Sequence, residues 1–579
     1  MLPLMTHIAH STRSFALRHP IFWAFVYVGF FSIPFQSLIY VSGMSGTVGL
    51  RQALLMSTLW LIPLLIWPRS NKIMTALIGI FLWLGGSVAI GYWLIYGQEF
   101  SQSAIFVIFE TTPAESTEFI ESYFRWWHGV VFAVFTAIPL LLWHLMPPLL
   151  LPAKVRYRYA SVFLLIVSWP FVSVLFVKDL GIDEAFKHLA RRLEPAAPWN
   201  LVVGYAHYRD QMTAMESMLV TNNKLSPLGN FATDEAFLPA NLVLVIGEST
   251  NRQRMSLYGY PRATTPRLDQ IRDELLVFSG AVTPRPYTIE ALQEILSFAG
   301  SRNPDDFFTE PNIINMMKQA GYEITWITNQ QTQTGRNNML TMLSQLADKQ
   351  IYLNNNRAQN ANQYDGQVIE PVLNTLQESA DRKMIVVHLL GTHRKYKYRY
   401  PNSFVTFTDD QDIPIFVSPE NLSEYNNYDD AIIYNDYVVA ELIAGLKAHG
   451  DNSLLVYLSD HGEEVYDYPQ KPFAGRNEAS PTSAMYTVPF IVWSSPDSAV
   501  NQNFSRWQSY SGRPFSTTDF IYSLSDMVGV SYDRMDYSRS IVSEQFTHRP
   551  RWIKDGNKLN SLLDYDQHAG MTEPVILAD

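Results

Sequence analysis

Five long apolar runs occupy the first 178 residues of this 579-residue chain. Most of them approach the roughly 20 residues that a helix needs to cross the hydrocarbon core of a bilayer. Buried helices in a large soluble domain are the alternative, but five such runs in series are rare outside membranes. The sequence therefore predicts a helical transmembrane domain of five spans over residues 1–178. The runs lie near residues 21–42, 52–67, 73–96, 129–146 and 159–177.

Three segments rich in Lys and Arg lie on one side of the membrane if all five runs cross it. Positive loops tend to stay in the cytoplasm, so the amino terminus is predicted to be cytoplasmic. The chain after residue 178 is then outside the inner membrane, in the periplasm of a Gram-negative cell. The residues that carry this pattern are Arg13, Arg18, Arg69, Lys72, Lys154, Arg156 and Arg158.

Composition excludes several classes of function. The chain has no cysteine, so it has no disulfides, no thiol catalysis and no cysteine metal site. Its formal charge of -11 is spread over a long chain. Nucleic-acid binding needs a clustered basic face instead, and the charge argues against it.

Two segments between the predicted domains have a character of their own. The loop 98–127 contains the acidic stretch Glu110–Glu118, which is either an interfacial helix that only packs or a polar patch facing a lipid headgroup. In the second case Glu115 suits an ammonium headgroup. Residues 179–235 are predicted to be an interfacial linker, because Trp199 and neighbouring arginines suit headgroup depth. An ordinary surface linker has a similar pattern.

From about residue 236 short apolar segments alternate with helical patterns. Such alternation predicts an α/β domain over 236–579, with a mainly parallel sheet covered by helices on both faces. The predicted strands are 241–246, 323–328, 384–388, 453–458 and 489–493. The predicted helices are 264–275, 288–299, 311–320, 362–379 and 429–448.

Polar side chains follow several of these strands. Glu248 follows the first strand, and Asp460 and His461 follow the fourth. Ligands bind at the carboxyl ends of strands in open α/β sheets. Two carboxylates and an imidazole from two strand ends can hold a divalent metal such as zinc. Taken singly, Glu248 has the alternative role of a helix cap, and the Asp460–His461 pair that of a capped turn.

Other polar residues lie at the same predicted edge. Thr288 is at the amino end of a predicted helix, where a hydroxyl meets phosphoryl groups over free backbone N–H donors. A metal beside it would make the hydroxyl a nucleophile, and a plain helix cap is the alternative. Asn329, Gln330 and Gln331 end the second strand, and they either bind acceptor or headgroup or form a polar turn. His388 ends the third strand and is predicted to be buried and hydrogen-bonded.

Four motifs resemble those of the phosphoethanolamine transferases, which are membrane-anchored relatives of the alkaline phosphatases and sulfatases. The motifs are Gly247–Thr250, Ser256–Pro261, Gly391–His393 and Ser459–Glu463, and the resemblance covers almost the whole chain. The stretches 96–102, 194–199 and 388–393 are most similar to members that modify the lipopolysaccharide core. A sulfatase-like catalytic domain is the fold that this resemblance implies.

The resemblance also implies roles for individual residues. Glu248, Thr288, Asp460 and His461 match the ligands of a catalytic zinc, and Thr288 matches the nucleophile. The nucleophile of the family lies about forty residues after the Glu, which favours Thr288 over Thr250. His393 matches a ligand of a second metal or of the headgroup. In the membrane loop, Thr111 and Glu115 match donor-binding residues.

Three features depart from the family pattern. No histidine occurs over 462–490, where many members carry one beside a second zinc. Val107 stands where members often have Asn, and the disulfides of many members have no counterpart here.

The implied reaction is phosphoethanolamine transfer from phosphatidylethanolamine to Thr288 and then to the lipopolysaccharide core. Lipid A and periplasmic glucan are alternative acceptors. The protein is expected to act as a monomer. A membrane-bound hydrolase of phosphate or sulfate esters is a second interpretation, and a non-enzymatic membrane protein with the same fold is a third. A freely soluble substrate would not require the membrane spans.

Overall fold

A computed structural model describes eleven segments of the chain. They are residues 19–41, 47–96, 120, 123–179, 181–221, 225–331, 343–354, 362–470, 472–478, 480–556 and 561–568. The described chain divides into two compact units, and the division lies between Gln211 and Met212.

The first unit is helical. By length and apolar composition, α3 to α6 can each cross a membrane, and the α1–α2 pair forms a fifth span if its 59° bend lies within one crossing. The prediction of a helical membrane domain is confirmed, with the first predicted span bent. The helices are α1 (Pro20–Gly29), α2 (Ile33–Val41), α3 (Thr47–Ile66), α4 (Asn71–Tyr96), α5 (Trp126–His144), α6 (Ala153–Val172, continued by a π-helical turn to Val177), α7 (Gly181–Leu193) and α8 (Trp199–Thr221), whose residues from Met212 onward belong to the second unit.

The bend between α1 and α2 has a local cause. Pro34 stands near the start of α2 and has no backbone N–H with which to continue the hydrogen-bond ladder of α1. Aromatic side chains pack beside this break, where Phe31 meets the ring of Phe135 of α5 edge-on. The Tyr27 hydroxyl donates a hydrogen bond to the carbonyl oxygen of Thr75 in α4, at 3.0 Å. Packing and hydrogen bonds therefore join α1 to its neighbours despite the bend.

A seven-stranded sheet forms the centre of the second unit. Its strands in chain order are β1 (Asn241–Gly247), β2 (Leu275–Phe278), β3 (Glu323–Gln331), β4 (Lys349–Asn354), β5 (Lys383–His388), β6 (Ser453–Ser459) and β7 (Phe490–Ser494). Their spatial order is β2-β7-β6-β1-β5-β3-β4. Only β7 runs against the others, because it is antiparallel to both of its neighbours. The prediction of a mainly parallel sheet is confirmed, and β2 and β4 were not predicted.

Helices cover this sheet. They are α9 (Pro266–Gln270), α10 (Thr288–Ile295), α11 (Asp306–Thr309), α12 (Ile313–Gln319), α13 (Ile369–Leu376), α14 (Pro419–His449), α15 (Ser483–Tyr486), α16 (Ala499–Gln502), α17 (Phe504–Gln508) and α18 (Phe520–Met527). Every residue of β1, β5 and β6 is buried, as expected of strands covered on both faces. Ile432 and Val439 of α14 pack in one apolar cluster with Val243 of β1.

Short strand pairs lie beside the main sheet. Glu464–Val465 pairs with Ala474–Gly475, directly after the predicted Ser459–Glu463 motif. The other pairs join Ala232–Thr233 to Val530–Ser531, Ala281–Val282 to Phe515–Ser516, and Trp552–Lys554 to Leu562–Asp564.

Candidate metal centre

The register between β1 and β6 brings two carboxylates to one edge of the sheet. Gly247 at the end of β1 is paired with Ser459 at the end of β6, so Glu248 and Asp460 follow at the same level. Two hydrogen bonds donated by backbone N–H groups extend the pairing. The Asp460 N–H donates to the Gly247 carbonyl oxygen at 3.0 Å, and the Ser249 N–H donates to Asp460 Oδ1 at 3.1 Å. Parallel pairing thus places side chains from distant parts of the chain together.

Glu248, Asp460 and His461 form a buried cluster. Each offers one ligand-type atom, and these atoms all lie within 4.8 Å of one another. His461 Nδ1 lies 2.8 Å from the Gly462 carbonyl oxygen and so carries the proton. Its Nε2 atom faces the two carboxylates, 3.3 Å from Glu248 Oε1 and 3.3 Å from Asp460 Oδ2. Whenever the imidazole is neutral, Nε2 therefore presents a lone pair to the cluster, as in metal-binding histidines.

Thr288 is the first residue of α10, and its hydroxyl reaches this cluster. Its Oγ1 atom lies 3.1 Å from Glu248 Oε2 and 3.3 Å from His461 Nε2. Thr250, the other hydroxyl considered from the sequence, is fully buried, and its Oγ1 lies 3.4 Å from the main-chain oxygen of Glu248. Of these two threonines, only Thr288 directs its hydroxyl toward the carboxylate of Glu248.

The cluster fits a zinc ion. Asp460 Oδ2 is buried and accepts no hydrogen bond from the residues that the structure describes. Burial, followed by the charge of Glu248, raises the pKa of Asp460 to about 7. Burial also opposes ionisation of Glu248, but the hydrogen bond and charge of His461 outweigh it and lower the pKa of that carboxyl. Two carboxylates, an imidazole and a hydroxyl are ligands that four-coordinate zinc accepts, and the ion would offset the buried negative charge.

Glu248 is held by residues around it. The Ser249 hydroxyl donates to Glu248 Oε1 at 2.8 Å, from a backbone with a φ of +59°. Strained left-handed backbone of this kind is concentrated at functional sites. Gln330 at the end of β3 donates from Nε2 to Glu248 Oε2 at 3.2 Å and to the Leu389 carbonyl oxygen at 2.7 Å. The sequence grouped Gln330 with Asn329 at this edge but did not pair it with Glu248.

Asn329 lies inside the fold. It is fully buried, its amide donates to Asp365 Oδ1 at 2.8 Å, and its amide oxygen accepts from Gln363 at 3.0 Å. Adjacent residues of a strand point to opposite faces, which explains why Gln330 reaches Glu248 and Asn329 does not. Substrate binding by Asn329 stays a prediction, and the contacts of its amide are internal ones.

The two histidines after β5 lie outside the three-residue cluster. His393 is partly buried, and its Nδ1 atom has no hydrogen-bond partner within the described chain. Burial lowers the pKa of His393 to about 3 against the opposing charge of Glu248, so the imidazole is neutral. His388 is buried against Trp326, and burial lowers its pKa to about 4. Its Nε2 atom also lacks a hydrogen-bond partner in the described part of the chain, unlike the hydrogen-bonded histidine that was predicted.

Arg476 is a residue of the centre that sequence reasoning missed. Its Nη1 atom lies 2.7 Å from His461 Nε2, and its Nε atom lies 3.3 Å from Glu463 Oε2. No motif contains Arg476, so the sequence offered no signal for it. Thr111 and Glu115, predicted to bind the donor, lie outside the described residues.

Gly391 lets the loop after β5 approach Glu248. Its φ is +55°, and an added Cβ atom would lie 2.5 Å from the Glu248 main-chain oxygen. We expect Gly391→Ala to lower the free energy of unfolding by about 2–5 kcal/mol, from the left-handed backbone and the overlap together. A lower midpoint in thermal unfolding of the detergent-purified full-length protein would confirm this.

Gly450, at the end of α14, is the matched control. Its φ is +84°, and nothing lies within 4 Å of an added Cβ atom. Gly450→Ala therefore carries the backbone cost alone, about 1–2 kcal/mol. Equal shifts in the two variants would show that contact with Glu248 does not require the glycine at 391.

Comparison with known proteins identifies the second unit first. The family model described as Sulfatase matches residues 240–530. A crystal structure of the C-terminal periplasmic domain of EcEptC from Escherichia coli, in complex with Zn, is 50% identical in sequence. It superposes with a TM-score of 0.57, covering 60% of this chain and 98% of that one.

Two further comparisons extend the similarity over nearly the whole chain. Phosphoethanolamine transferase EptC of Escherichia coli strain K12 is 47% identical over 558 residues, which cover 94% of this chain and 95% of that protein. The integral membrane protein lipooligosaccharide phosphoethanolamine transferase A (EptA) from Neisseria meningitidis is 18% identical, with a TM-score of 0.60. It covers 90% of this chain and 97% of that one, and at this identity it supports the fold alone.

Proposed function

This chain belongs to the phosphoethanolamine transferases of the sulfatase family, and on that premise we propose that it moves phosphoethanolamine from phosphatidylethanolamine to the lipopolysaccharide core through a covalent intermediate on Thr288. One observation carries the proposal. The Thr288 hydroxyl stands at the amino end of a helix, 3.1 Å from a carboxylate of the Glu248, Asp460 and His461 cluster. A nucleophile, a candidate metal site and helix N–H groups for a phosphoryl group thus meet at one point.

In the first step the Thr288 oxygen attacks the phosphorus of phosphatidylethanolamine. A bond forms between Oγ1 and phosphorus as the bond from phosphorus to the diacylglycerol oxygen breaks. The hydroxyl proton leaves with diacylglycerol. The hydrogen bond from Oγ1 to Glu248 Oε2 orients the oxygen for this attack. Glu248, Asp460, His461 and Thr288 would hold zinc, which when bound lowers the pKa of a hydroxyl and offsets phosphoryl charge.

In the second step an acceptor oxygen attacks the same phosphorus. The bond between Oγ1 and phosphorus breaks, and Thr288 regains a proton from the acceptor. Both displacements are in-line, so positioning and charge stabilisation matter more than acid–base groups. Glu248 therefore orients the Thr288 oxygen, and Glu248, Asp460 and His461 would hold the zinc ion whose charge offsets that of the phosphoryl group in both steps.

The membrane unit fits a lipid donor. Among the described residues, four helices, or five spans with the bent pair, are long and apolar enough to cross a bilayer. Phosphatidylethanolamine and the diacylglycerol released from it would remain in that bilayer. The positive loops favour an inner-membrane protein whose catalytic unit is periplasmic. Thr111, Glu115, Asn329 and His393 remain the proposed substrate-binding residues, and a monomer suffices for this chemistry.

The reaction is tested with the full-length protein in phosphatidylethanolamine vesicles. We expect a phosphoethanolamine adduct on the peptide that contains Thr288, and its discharge when purified lipopolysaccharide is added. Mass spectrometry of the digested protein measures both. Free phosphoethanolamine released at the same rate without acceptor would instead indicate a hydrolase.

The acceptor is tested in cells. Deletion of the gene is expected to remove one phosphoethanolamine mass increment from the core oligosaccharide, measured by mass spectrometry after mild acid release. The lipid A fraction of the same cells serves as the control and should be unchanged. Loss of the increment from lipid A alone would leave phosphoethanolamine transfer standing and contradict the core as acceptor.

A further inference from the structure

Within the described chain, Arg476 is the one cationic side chain that is not itself a proposed metal ligand and that contacts two of those ligands. Its Nη1 atom lies 2.7 Å from His461 Nε2 and 3.7 Å from Glu248 Oε1. Its side chain is 18% exposed, so the guanidinium borders both the cluster and the space outside it. Thr288 Oγ1 lies 3.3 Å from the same nitrogen of His461. Arg476 and Thr288, the proposed nucleophile, therefore both contact the Nε2 atom of His461.

The backbone before Arg476 directs this side chain inward. Gly475 pairs with Glu464, three residues after His461, which brings the following residue alongside the cluster. Gly475 has a φ of +129°, which glycine adopts readily and other residues rarely adopt. The position of Arg476 is thus set by a strand pair that begins at the metal-site motif itself.

Arg476 has a second anchor that does not involve the cluster. Its Nε atom lies 3.3 Å from Glu463 Oε2, and Glu463 Oε1 accepts a hydrogen bond from the Tyr396 hydroxyl at 3.0 Å. Glu463 is 1% exposed. This ion pair, which lacks hydrogen-bond geometry, keeps the guanidinium beside Glu463 while its Nη groups contact another partner.

Arg476 must release His461 when a metal ion binds to the cluster. His461 Nδ1 is engaged by the Gly462 carbonyl oxygen, so Nε2 is the nitrogen left to bind a metal. An arginine N–H and a metal ion cannot both use that lone pair. The Nη groups released from Nε2 would then lie beside Thr288 Oγ1, where a phosphoryl group would be attached.

We propose that Arg476, anchored by Glu463, binds the non-bridging oxygens of the phosphoryl group on Thr288. The proposal rests on the proposed function, because it needs a phosphoryl group at that oxygen. A planar guanidinium offers paired N–H donors that match phosphate oxygens, and it remains charged at any working pH. It would stabilise the charge that builds up on phosphorus in both displacements.

The test compares Arg476→Gln with Arg394→Gln in the full-length protein. Arg394 is the matched control, since its side chain is 19% exposed and it donates to the Ala474 carbonyl oxygen beside the same strand pair. We expect Arg476→Gln to slow formation of the Thr288 adduct by about 10²–10³-fold, the usual effect of removing one charge-stabilising donor. Arg394→Gln should form the adduct at the wild-type rate.

Two further measurements separate phosphoryl binding from a structural role. Zinc content by elemental analysis and the midpoint of thermal unfolding should match the wild type. Inorganic phosphate, titrated calorimetrically into the zinc-loaded protein, should bind about tenfold or more weakly to Arg476→Gln. Wild-type phosphate binding and a wild-type adduct rate in Arg476→Gln would overturn the proposal. Loss of zinc from this variant would also overturn it, because Arg476 would then support the metal site instead of binding the phosphoryl group.

If Arg476→Gln does not fold, the adduct rate of Arg476→Lys tests the proposal instead. A lysine keeps the charge without the paired donors, so an adduct rate about tenfold below the wild type supports the proposal. An unchanged rate overturns it. If the wild-type protein itself forms no Thr288 adduct, the proposed function is wrong, and that outcome is seen before any variant is compared.

Discussion

Thr288→Ala is expected to abolish phosphoethanolamine transfer, lowering the rate by at least about 10³-fold, because a double displacement has no route without its nucleophile. The fold should be retained. Thr288 begins α10, but its side chain does not cap the helix, since the residue at the cap position is Tyr287. Within the described residues, loss of the hydroxyl removes hydrogen bonds to Glu248 and His461 alone. Mass spectrometry should find no adduct on the peptide that contains residue 288.

Two controls accompany this variant. Thr288→Ser keeps an oxygen in the same place and should retain the adduct. Thr250→Val removes the other hydroxyl near Glu248, which lies 3.4 Å from the main-chain oxygen of that residue. It should leave the adduct on Thr288. An adduct that persists in Thr288→Ala and disappears in Thr250→Val would identify Thr250 as the nucleophile.

Glu248→Gln is expected to remove both zinc and activity. The substitution keeps the size of the side chain but replaces an anionic ligand with a neutral amide in a buried cluster. Zinc prefers charged or imidazole ligands, so its content should fall from about one equivalent to a small fraction. Adduct formation should fall by at least about 10³-fold, as for Thr288→Ala. Elemental analysis and adduct mass measure the two effects separately.

Glu464→Gln is the matched control for Glu248→Gln. Glu464 is as buried as Glu248, with exposed fractions of 0% and 1%, but it lies outside the cluster and accepts from the Thr482 hydroxyl. A glutamine oxygen can accept the same hydrogen bond, so this variant should keep its zinc and its adduct. Equal zinc in the wild type and in Glu248→Gln would contradict the assignment of Glu248 as a ligand.

Local patterns predicted the elements of the fold with uneven success. Long apolar runs identified the membrane helices, and fully apolar segments identified β1, β5 and β6, because these elements are buried along their length. β2 was missed because it has four residues. Helix α14 begins ten residues earlier than predicted, since its first turns are polar and lack an apolar stripe.

The direction of β7 is a case in which the sequence carried no signal. An apolar strand of five residues has the same pattern whether it runs with or against its neighbours. Direction depends on where the preceding connection emerges, which is a property of the assembled sheet. The structure shows β7 between β2 and β6 and antiparallel to both.

By itself the sequence determined which residues follow the strands and which begin a helix, and so named Glu248, Asp460, His461 and Thr288 as candidates. Only the tertiary structure brought the three ligand-type side chains within 4.8 Å of one another and added Gln330 and Arg476. The physical reason is that a sequence pattern reports local structure, whereas contacts between distant residues depend on how the elements pack. Side-chain periodicity reports which residues face the core of their own element. Strand order and register decide what lies across from them, and those depend on packing over the whole sheet.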